Sequence, residues 1–442
     1  MIFQSGLSLI TLAATNNTKM LRWSVIFALL LLAGSFCFAV AADIEVLQRF
    51  ELPPTSLSAL GRQPFTADDL ARARTDGLKY DALPSLGSGL ARVGEMEFVG
   101  ISDRGPNGEV GKRRTFPLPK FAPHLTRFKL SAGKIEILNS TILTDANGKP
   151  LTGLSNQEPE ERLFETAAAS APLPYDPNGV DPEAVRVFPG GKFLLSEEYG
   201  PSVLVVDPNG QVLVRYVPAN KPLPGATYPV KAILPPVLSQ RRTNRGFEAL
   251  ALSPDGRTAY VMLQSPLGDE KAFGAARVSR VLRLDLSDPL NARVTGHFLM
   301  PLSPASGYGA TLKQTGVKLN DAEWLAPDRL LVLEQAGETA RLVVADFGAA
   351  GDLKNSPLEN SIAPEAVGDD FATLPVAPAT VAVWATISGL TPEPTKLEGM
   401  TVLSPTELVL ANDNDFGLGE GSAPQPSTIW RLRLSRPLPL AR

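Results

Sequence analysis

VDPEAVRVFPGGKFLLSEEYG, residues 180–200, carries the pattern around which the chain is organised. Glu183 opens a short apolar strand at 185–188, and Pro189-Gly190-Gly191 supplies a turn. A second apolar strand at 192–196 then runs into Glu197 and Glu198. Apolar runs on either side of a Pro/Gly turn predict a β-hairpin.

The same pattern recurs three times. GFEALALSPDGRTAYVMLQ places Glu248 before a strand, a turn at Ser253-Pro254-Asp255-Gly256, and a return strand at 259–263. LNDAEWLAPDRLLVLEQ repeats it with Glu323, Pro327-Asp328 and 330–334, with Glu334 at the exit. KLEGMTVLSPTELVLANDND does so with Glu398, Ser404-Pro405 and 408–413, with Asp413 and Asp415 at the exit. The four glutamates are 65, 75 and 75 residues apart. A diverged fifth copy, SGLARVGEMEFVGISDRGPN at 88–107, has Ser88-Gly89 where the glutamate would stand and Asp103 at its exit. Strand-rich repeats of this kind predict an all-β radial array, a β-propeller. Five blades are visible, and a sixth could lie within the insertions. In an antiparallel pair the start of one strand lies beside the end of the next, so the repeat acids are expected to gather at one mouth of a central channel.

The remaining sequence fits this frame. Forty prolines and 37 glycines suit short strands joined by turns. The best helical pattern is the short ADDLARARTDG at 67–77. Residues 43–57 hold an isolated strand expected to complete the last blade and remove an open edge. A proline-rich loop at 105–123 interrupts the first blade, and 144–179 is a long polar, proline-containing insertion over one face, where functional loops commonly lie. At the N-terminus, Lys19 and Arg22 precede an apolar run, and the small residues Ala39-Val40-Ala41 follow. That is a secretory signal over 1–41, with Met20 as a plausible start, leaving 42–442 as one propeller domain that is periplasmic or extracellular. Cleavage takes Lys19, Arg22 and the sole cysteine, Cys37. The formal net charge then moves from −4 to about −6. A mildly acidic exported chain lacks the basic footprint of a nucleic-acid binder, and no later segment is apolar enough to span a bilayer.

The acidic mouth suits a hard cation with oxygen ligands, and calcium is the expected cofactor. Its candidate ligands are Asp103, Glu183, Glu197, Glu248, Glu323, Glu398 and Asp413. The two histidines, His124 and His297, sit in unrelated contexts and read as packing residues rather than ligands. Arg104, Arg245 and Lys318 accompany the acids as candidate binders of a small anionic substrate, with Glu183 and Glu323 as candidate catalytic groups. The bland alternative is that the acids bond backbone amides, fix blade spacing and pair with these bases. There is no G-x-S-x-G and no phosphate-cradling glycine loop.

SDRGPN at 102–107, the repeated glutamate hairpins, SEEYGPSVLVVD at 196–207 and GFEALALSPDG at 246–256 together resemble the phytase-like domain family. That family is described as having esterase-like activity of phytase, and the likeness extends over about 80–435. It implies a propeller with phosphoesterase-type activity. The related β-propeller phytases carry a D-A-x-D-P-A-x-W signature and several calcium ions. Here only VDPEAV at 180–185 and NDAEW at 320–324 echo that signature. The leading expectation is a calcium-dependent hydrolase of phosphate esters. The alternatives are a non-enzymatic propeller that binds a ligand or protein, and a metal-dependent hydrolase of carboxylic esters or lactones.

The signal assignment makes a direct prediction: N-terminal sequencing of the exported protein should begin near Ala42 or Asp43. An intact Met20 start on membrane-bound protein would instead mean a retained anchor.

Overall fold

The computed structural model describes residues 43–441, apart from 76, 112, 157–160, 395 and 419–423. The proposed signal at 1–41 lies outside the described residues. The architecture is all-β, with few and short helices.

Each repeat forms the expected hairpin, and each hairpin starts an antiparallel sheet of at least four strands. The stretch 180–200 gives Pro182–Val187 and Phe193–Glu197, followed by Ser202–Val206 and Val212–Pro218. A fifth strand, Val230–Leu234, adds in parallel at the outer edge of this sheet. The next sheet runs Phe247–Leu252, Thr258–Leu263, Val278–Asp285 and Arg293–Pro301. Another runs Lys318–Ala326, Arg329–Ala336, Thr339–Asp346 and Thr380–Ile387. The diverged copy contributes Gly89–Arg92, Glu97–Ile101, His124–Ser131 and Lys134–Ile142.

The last repeat supplies only Leu397–Ser404, Glu407–Asn412 and Thr428–Leu434 from its own stretch of chain. Its fourth strand is Ile44–Glu51, antiparallel to Thr428–Leu434, with Glu51 opposite Thr428 and Ile44 opposite Leu434. The N-terminal strand thus finishes the C-terminal sheet. A parallel contact at Glu51 and Lys134 also joins that sheet to the first one.

The first strands of these sheets touch in a closed cycle. Gly89–Arg92 lies against Pro182–Val187, which lies against Phe247–Leu252, then Lys318–Ala326, then Leu397–Ser404, which returns to Gly89–Arg92. Around this propeller-like ring each neighbouring pair of sheets buries its own apolar cluster. Val205, Leu250 and Leu282 share one, Met262 and Val332 a second, and Leu333, Leu410 and Trp430 a third. Val99 and Leu195 share a fourth, and Phe98 and Val409 a fifth. Without a disulfide, this interleaved packing must carry the stability.

The insertions have structure of their own. Gly108–Val110, Arg113–Thr115 and Arg162–Phe164 pair into a small sheet, so the two proline-containing loops are joined. The expected helix forms at Ala67–Thr75 and buries Leu70 and Ala73 in a cluster with Phe121 and Phe416. Among the described residues no helix is long and apolar enough to cross a membrane.

Candidate functional site: an inner ring of bulged strands

The strand register explains where the repeat acids point. In four sheets the first strand carries one extra residue, a β-bulge, close to its start. The extra residues are Glu183, Glu248, Asn320 and Glu398. A bulge leaves a residue without a ladder partner and re-aims its side chain, and bulges favour active sites for that reason. In the diverged sheet the ladder begins with Gly89 opposite Ile101, so Ser88 holds the equivalent place. Ser88, Glu183, Glu248, Asn320 and Glu398 therefore form one tier, with a residue from every sheet.

The same register defines two flanking tiers. Two residues before each bulge stand Asp181, Gly246, Lys318 and Lys396, in keeping with the two-residue period of a strand. At the exits of the partner strands the equivalent positions are Asp103, Glu198, Gln264, Gln335 and Asp413.

Three carboxylates meet at the centre. Glu183, Glu248 and Glu398 can bring one oxygen each within 4.8 Å of one another, and so can Asp181, Glu183 and Glu198. Glu183, Glu248 and Glu398 are 6%, 1% and 4% exposed, so water screens them little. Burial, followed by repulsion from neighbouring acids, raises the pKa of Glu183 and Glu248 well above the carboxylate range. Burial does the same for Glu398 against the opposing pull of Lys396. Among the described residues, Oε2 of Glu248 and of Glu398 is buried without a hydrogen-bond partner, as are Oγ of Ser88 and Oδ1 of Asn320. Buried polar atoms are nearly always satisfied, so four orphaned oxygens on one tier are a marked departure.

Bases surround the acids without cancelling them. Arg104 is buried and holds Asp181 at 3.1 Å through Nε. Its backbone N–H donates to Asp181 Oδ1 at 3.0 Å, and its guanidinium also donates to Asn244 and Tyr199. Lys396 donates to Asp413 at 3.0 Å and Asp415 at 2.8 Å, and lies 3.7 Å from Glu398. Lys318 has no carboxylate within 4 Å among the described residues, although the charges of Glu398 and Glu248 act on it. Burial, with Arg245 and Lys396 nearby, lowers its pKa. Arg245 donates to Ser265 Oγ at 3.0 Å. Seven acids (Asp103, Asp181, Glu183, Glu198, Glu248, Glu398, Asp413) thus face four bases (Arg104, Arg245, Lys318, Lys396).

The structure separates the other expected ligands from this centre. Glu197 leaves its strand on the opposite face from Glu198 and pairs with Arg215 at 2.7 Å, both side chains fully buried. It also accepts from Ser202 and from the backbone of Asp181 and Tyr199, so it braces the sheet. Glu323 stands three residues beyond the bulge that Asn320 occupies. It lies 4.0 Å from Arg186, and burial raises its pKa against the opposing pull of that guanidinium. Arg186 belongs to the sheet of Glu183. It reaches across to Asp321 at 2.6 Å and to the carbonyls of Ala322 and Leu90, while Asp321 accepts from Met400 N–H at 2.8 Å. This layer ties four sheets together directly beneath the acidic tier. Glu334 accepts from Tyr308 and from Ser303 N–H, away from the ring.

Asp413 is on the exit tier, where it accepts from Ser85 Oγ at 2.6 Å. Burial opposes its ionisation, but Lys396 and Ser85 prevail and hold its pKa at about 2. Asp103 is also on that tier and accepts from Gly105 N–H at 2.9 Å. His124 and His297 are both fully buried, and neither belongs to either acidic group. Burial lowers His124 to about 4 and His297 to about 3, so both stay neutral.

Sequence reasoning did not single out Asn320, Asp181 or Gln264. The signal for Asn320 was present: Lys318-Leu319-Asn320 matches Lys396-Leu397-Glu398 residue for residue up to the bulge. The nearby acids of NDAEW obscured it.

Residues 85–416 match the phytase-like family, described as esterase-like activity of phytase. The chain belongs to this family. The family match includes the first strand of every sheet that enters the ring. An uncharacterized secreted protein of Arthroderma benhamiae is 28% identical over 184 residues, 35% of this chain and 36% of that protein. The chain therefore spans about a third of that relative's length.

Among solved structures, the periplasmic gluconolactonase of Pseudomonas aeruginosa is 15% identical with a TM-score of 0.32, covering 80% of this chain and 86% of that one. The calcium-binding protein regucalcin of Agrobacterium tumefaciens is 13% identical with a TM-score of 0.32 and coverages of 82% and 81%. A PQQ-bound aldose sugar dehydrogenase of Streptomyces coelicolor is 11% identical with a TM-score of 0.33 and coverages of 89% and 98%. With TM-scores this low, the ring rests on the chain's own strand contacts.

The two kinds of acid should respond oppositely to substitution. Glu197→Ala leaves Arg215 buried without its counter-charge and should cost about 3–5 kcal/mol of stability. Glu248→Gln relieves repulsion, so the metal-stripped variant should melt no lower than wild type. Urea melts in chelator would overturn the assignment if Glu197→Ala were neutral or Glu248→Gln strongly destabilising.

Proposed function

We propose that the mature chain, from about residue 42, is an exported five-bladed β-propeller that binds calcium at the inner tier and hydrolyses a phosphate ester there. The cycle of five first strands supports the blade count. The observation that carries the functional reading is the convergence of Glu183, Glu248 and Glu398 from three sheets, all buried, with Oε2 of Glu248 and of Glu398 left unpartnered among the described residues. An uncompensated buried charge is costly, and it is relieved by a proton or by a bound cation.

The donors fit calcium. All are hard oxygens from carboxylate, hydroxyl and amide groups, and neither histidine joins them. Glu183, Glu248 and Glu398 would hold the ion, with Asp181 and Glu198 beside them. When bound, calcium would supply Lewis-acid charge to an ester's phosphoryl oxygen. The chain's own contribution is to orient an anion. Lys318 has no close carboxylate and Arg245 is held by Ser265 alone among the described residues, so both are available to phosphate oxygens.

Arg104 is committed to Asp181, so its role is to fix that carboxylate. Glu323 stands off the inner tier, 4.0 Å from Arg186, beside the layer beneath. Glu183, shared by both acidic groups, is our candidate to act on a reacting water. Two cations with no carboxylate within 4 Å among the described residues favour a phosphate ester over a neutral carboxylic ester or lactone, and the small-molecule substrate follows from that.

A panel of phosphate and carboxylic esters, assayed with calcium and with chelator, tests this. We expect turnover of phosphate esters that chelator abolishes and calcium restores. Glu183→Gln should cut kcat strongly without lowering the melting temperature in chelator. Arg245→Ala should raise KM more than it lowers kcat, if its contact is equal in ground and transition states. Wild-type protein inert on every ester would favour a binding propeller. Hydrolysis confined to carboxylic esters would favour the lactonase-type reading.

A further inference from the structure

Two members of the inner tier carry no charge, and their surroundings give each a purpose. Asn320 is 2% exposed, and its amide orientation is fixed by what Nδ2 does. That nitrogen donates to Gln335 Oε1 at 3.1 Å and to the carbonyl of Leu397 at 2.7 Å, the residue before Glu398. Both donor hydrogens are used, and Oδ1 is left on the other side with no partner among the described residues. An amide oxygen held rigid, buried and unpaired is a ligand position waiting for a Lewis acid.

Ser88 is fully buried, and its Oγ likewise has no partner among the described residues. It is wedged between two glycines that allow close approach. A Cβ at Gly87 would fall 1.9 Å from the carbonyl oxygen of Asn412, and one at Gly89 would fall 2.6 Å from Cα of Ala184. Ala184 follows Glu183, and Gly87 O approaches Gly399, which follows Glu398. Ser88 therefore sits between the strands that carry Glu183 and Glu398.

We propose that Ser88 Oγ and Asn320 Oδ1 are the two neutral ligands that complete the cation site begun by Glu183, Glu248 and Glu398. This inference rests on the calcium reading above. Five strand starts then deliver five oxygens, three charged and two neutral. Calcium accepts six to eight oxygens, which leaves room for water or a substrate oxygen. The neutral positions also limit the cost of the empty site. Five carboxylates there would repel one another more than three do, whereas hydroxyl and amide oxygens add ligands without adding charge.

Ser88→Ala separates a ligand from a structural group, because its hydroxyl makes no hydrogen bond that the fold could lose. Mature full-length protein, stripped with chelator, would be titrated with calcium chloride by calorimetry and melted in chelator. The expected result is an unchanged or slightly raised melting temperature in chelator. Calcium affinity should be weakened by about tenfold or more, a loss seen even for groups that only support a ligand. Asn320→Ala should weaken calcium to a similar degree and should also lower melting in chelator, since its Nδ2 bonds are lost. If wild type binds calcium and Ser88→Ala binds it equally well, the five-ligand site is overturned while the calcium reading stands. If wild type binds none, the calcium reading itself fails.

Discussion

The centre of this molecule is set by repulsion. Glu183, Glu248 and Glu398 converge in a place too dry to screen them, and the bases nearby are fewer than the acids. A fold does not bring like charges together from three separate sheets without something that requires them there. Protonation is one relief, and the upward shift of all three carboxyls expresses it. On the reading proposed here a calcium ion is the other, and the orphaned oxygens of Ser88 and Asn320 mark the rest of its shell.

The surrounding architecture holds that centre against its own repulsion. Each acid is delivered by a bulge at the start of a first strand, so its position depends on main-chain register rather than on a flexible stem. Beneath it, Arg186 crosses to Asp321 and to the carbonyls of Leu90 and Ala322, while Asp321 accepts from Met400. Four of the five sheets are joined in that layer. Farther out, the Ile44–Glu51 strand finishes the last sheet, so the first and last described strands lie in one antiparallel ladder. A break in either layer would let the first strands separate and the acids relax apart.

Much of this was legible in the sequence, for physical reasons. Apolar alternation around Pro/Gly turns specified the hairpins, and the N-terminal strand's place followed from the need to close an edge. Glu183, Glu248 and Glu398 were legible because they recur at the same place in their repeats. What failed was register. In NDAEW the acid nearest the apolar run is Glu323, but the bulge falls at Asn320, and a bulge has no residue type of its own. Glu197 and Glu198 are adjacent acids on opposite faces, and composition cannot say which one faces inward. One braces Arg215 and the other joins the centre. The commitment of Arg104 to Asp181 joins residues 77 apart in the chain and has no local signature.

The most direct test of the central claim is the melting temperature of chelator-stripped mature protein across a calcium titration. A ligand that binds only the folded state adds about 2.7 kcal/mol at a hundredfold excess over Kd, so melting should climb steadily with calcium and fall back on chelation. A melting curve that does not move through millimolar calcium, with no heat of binding by calorimetry, would contradict it.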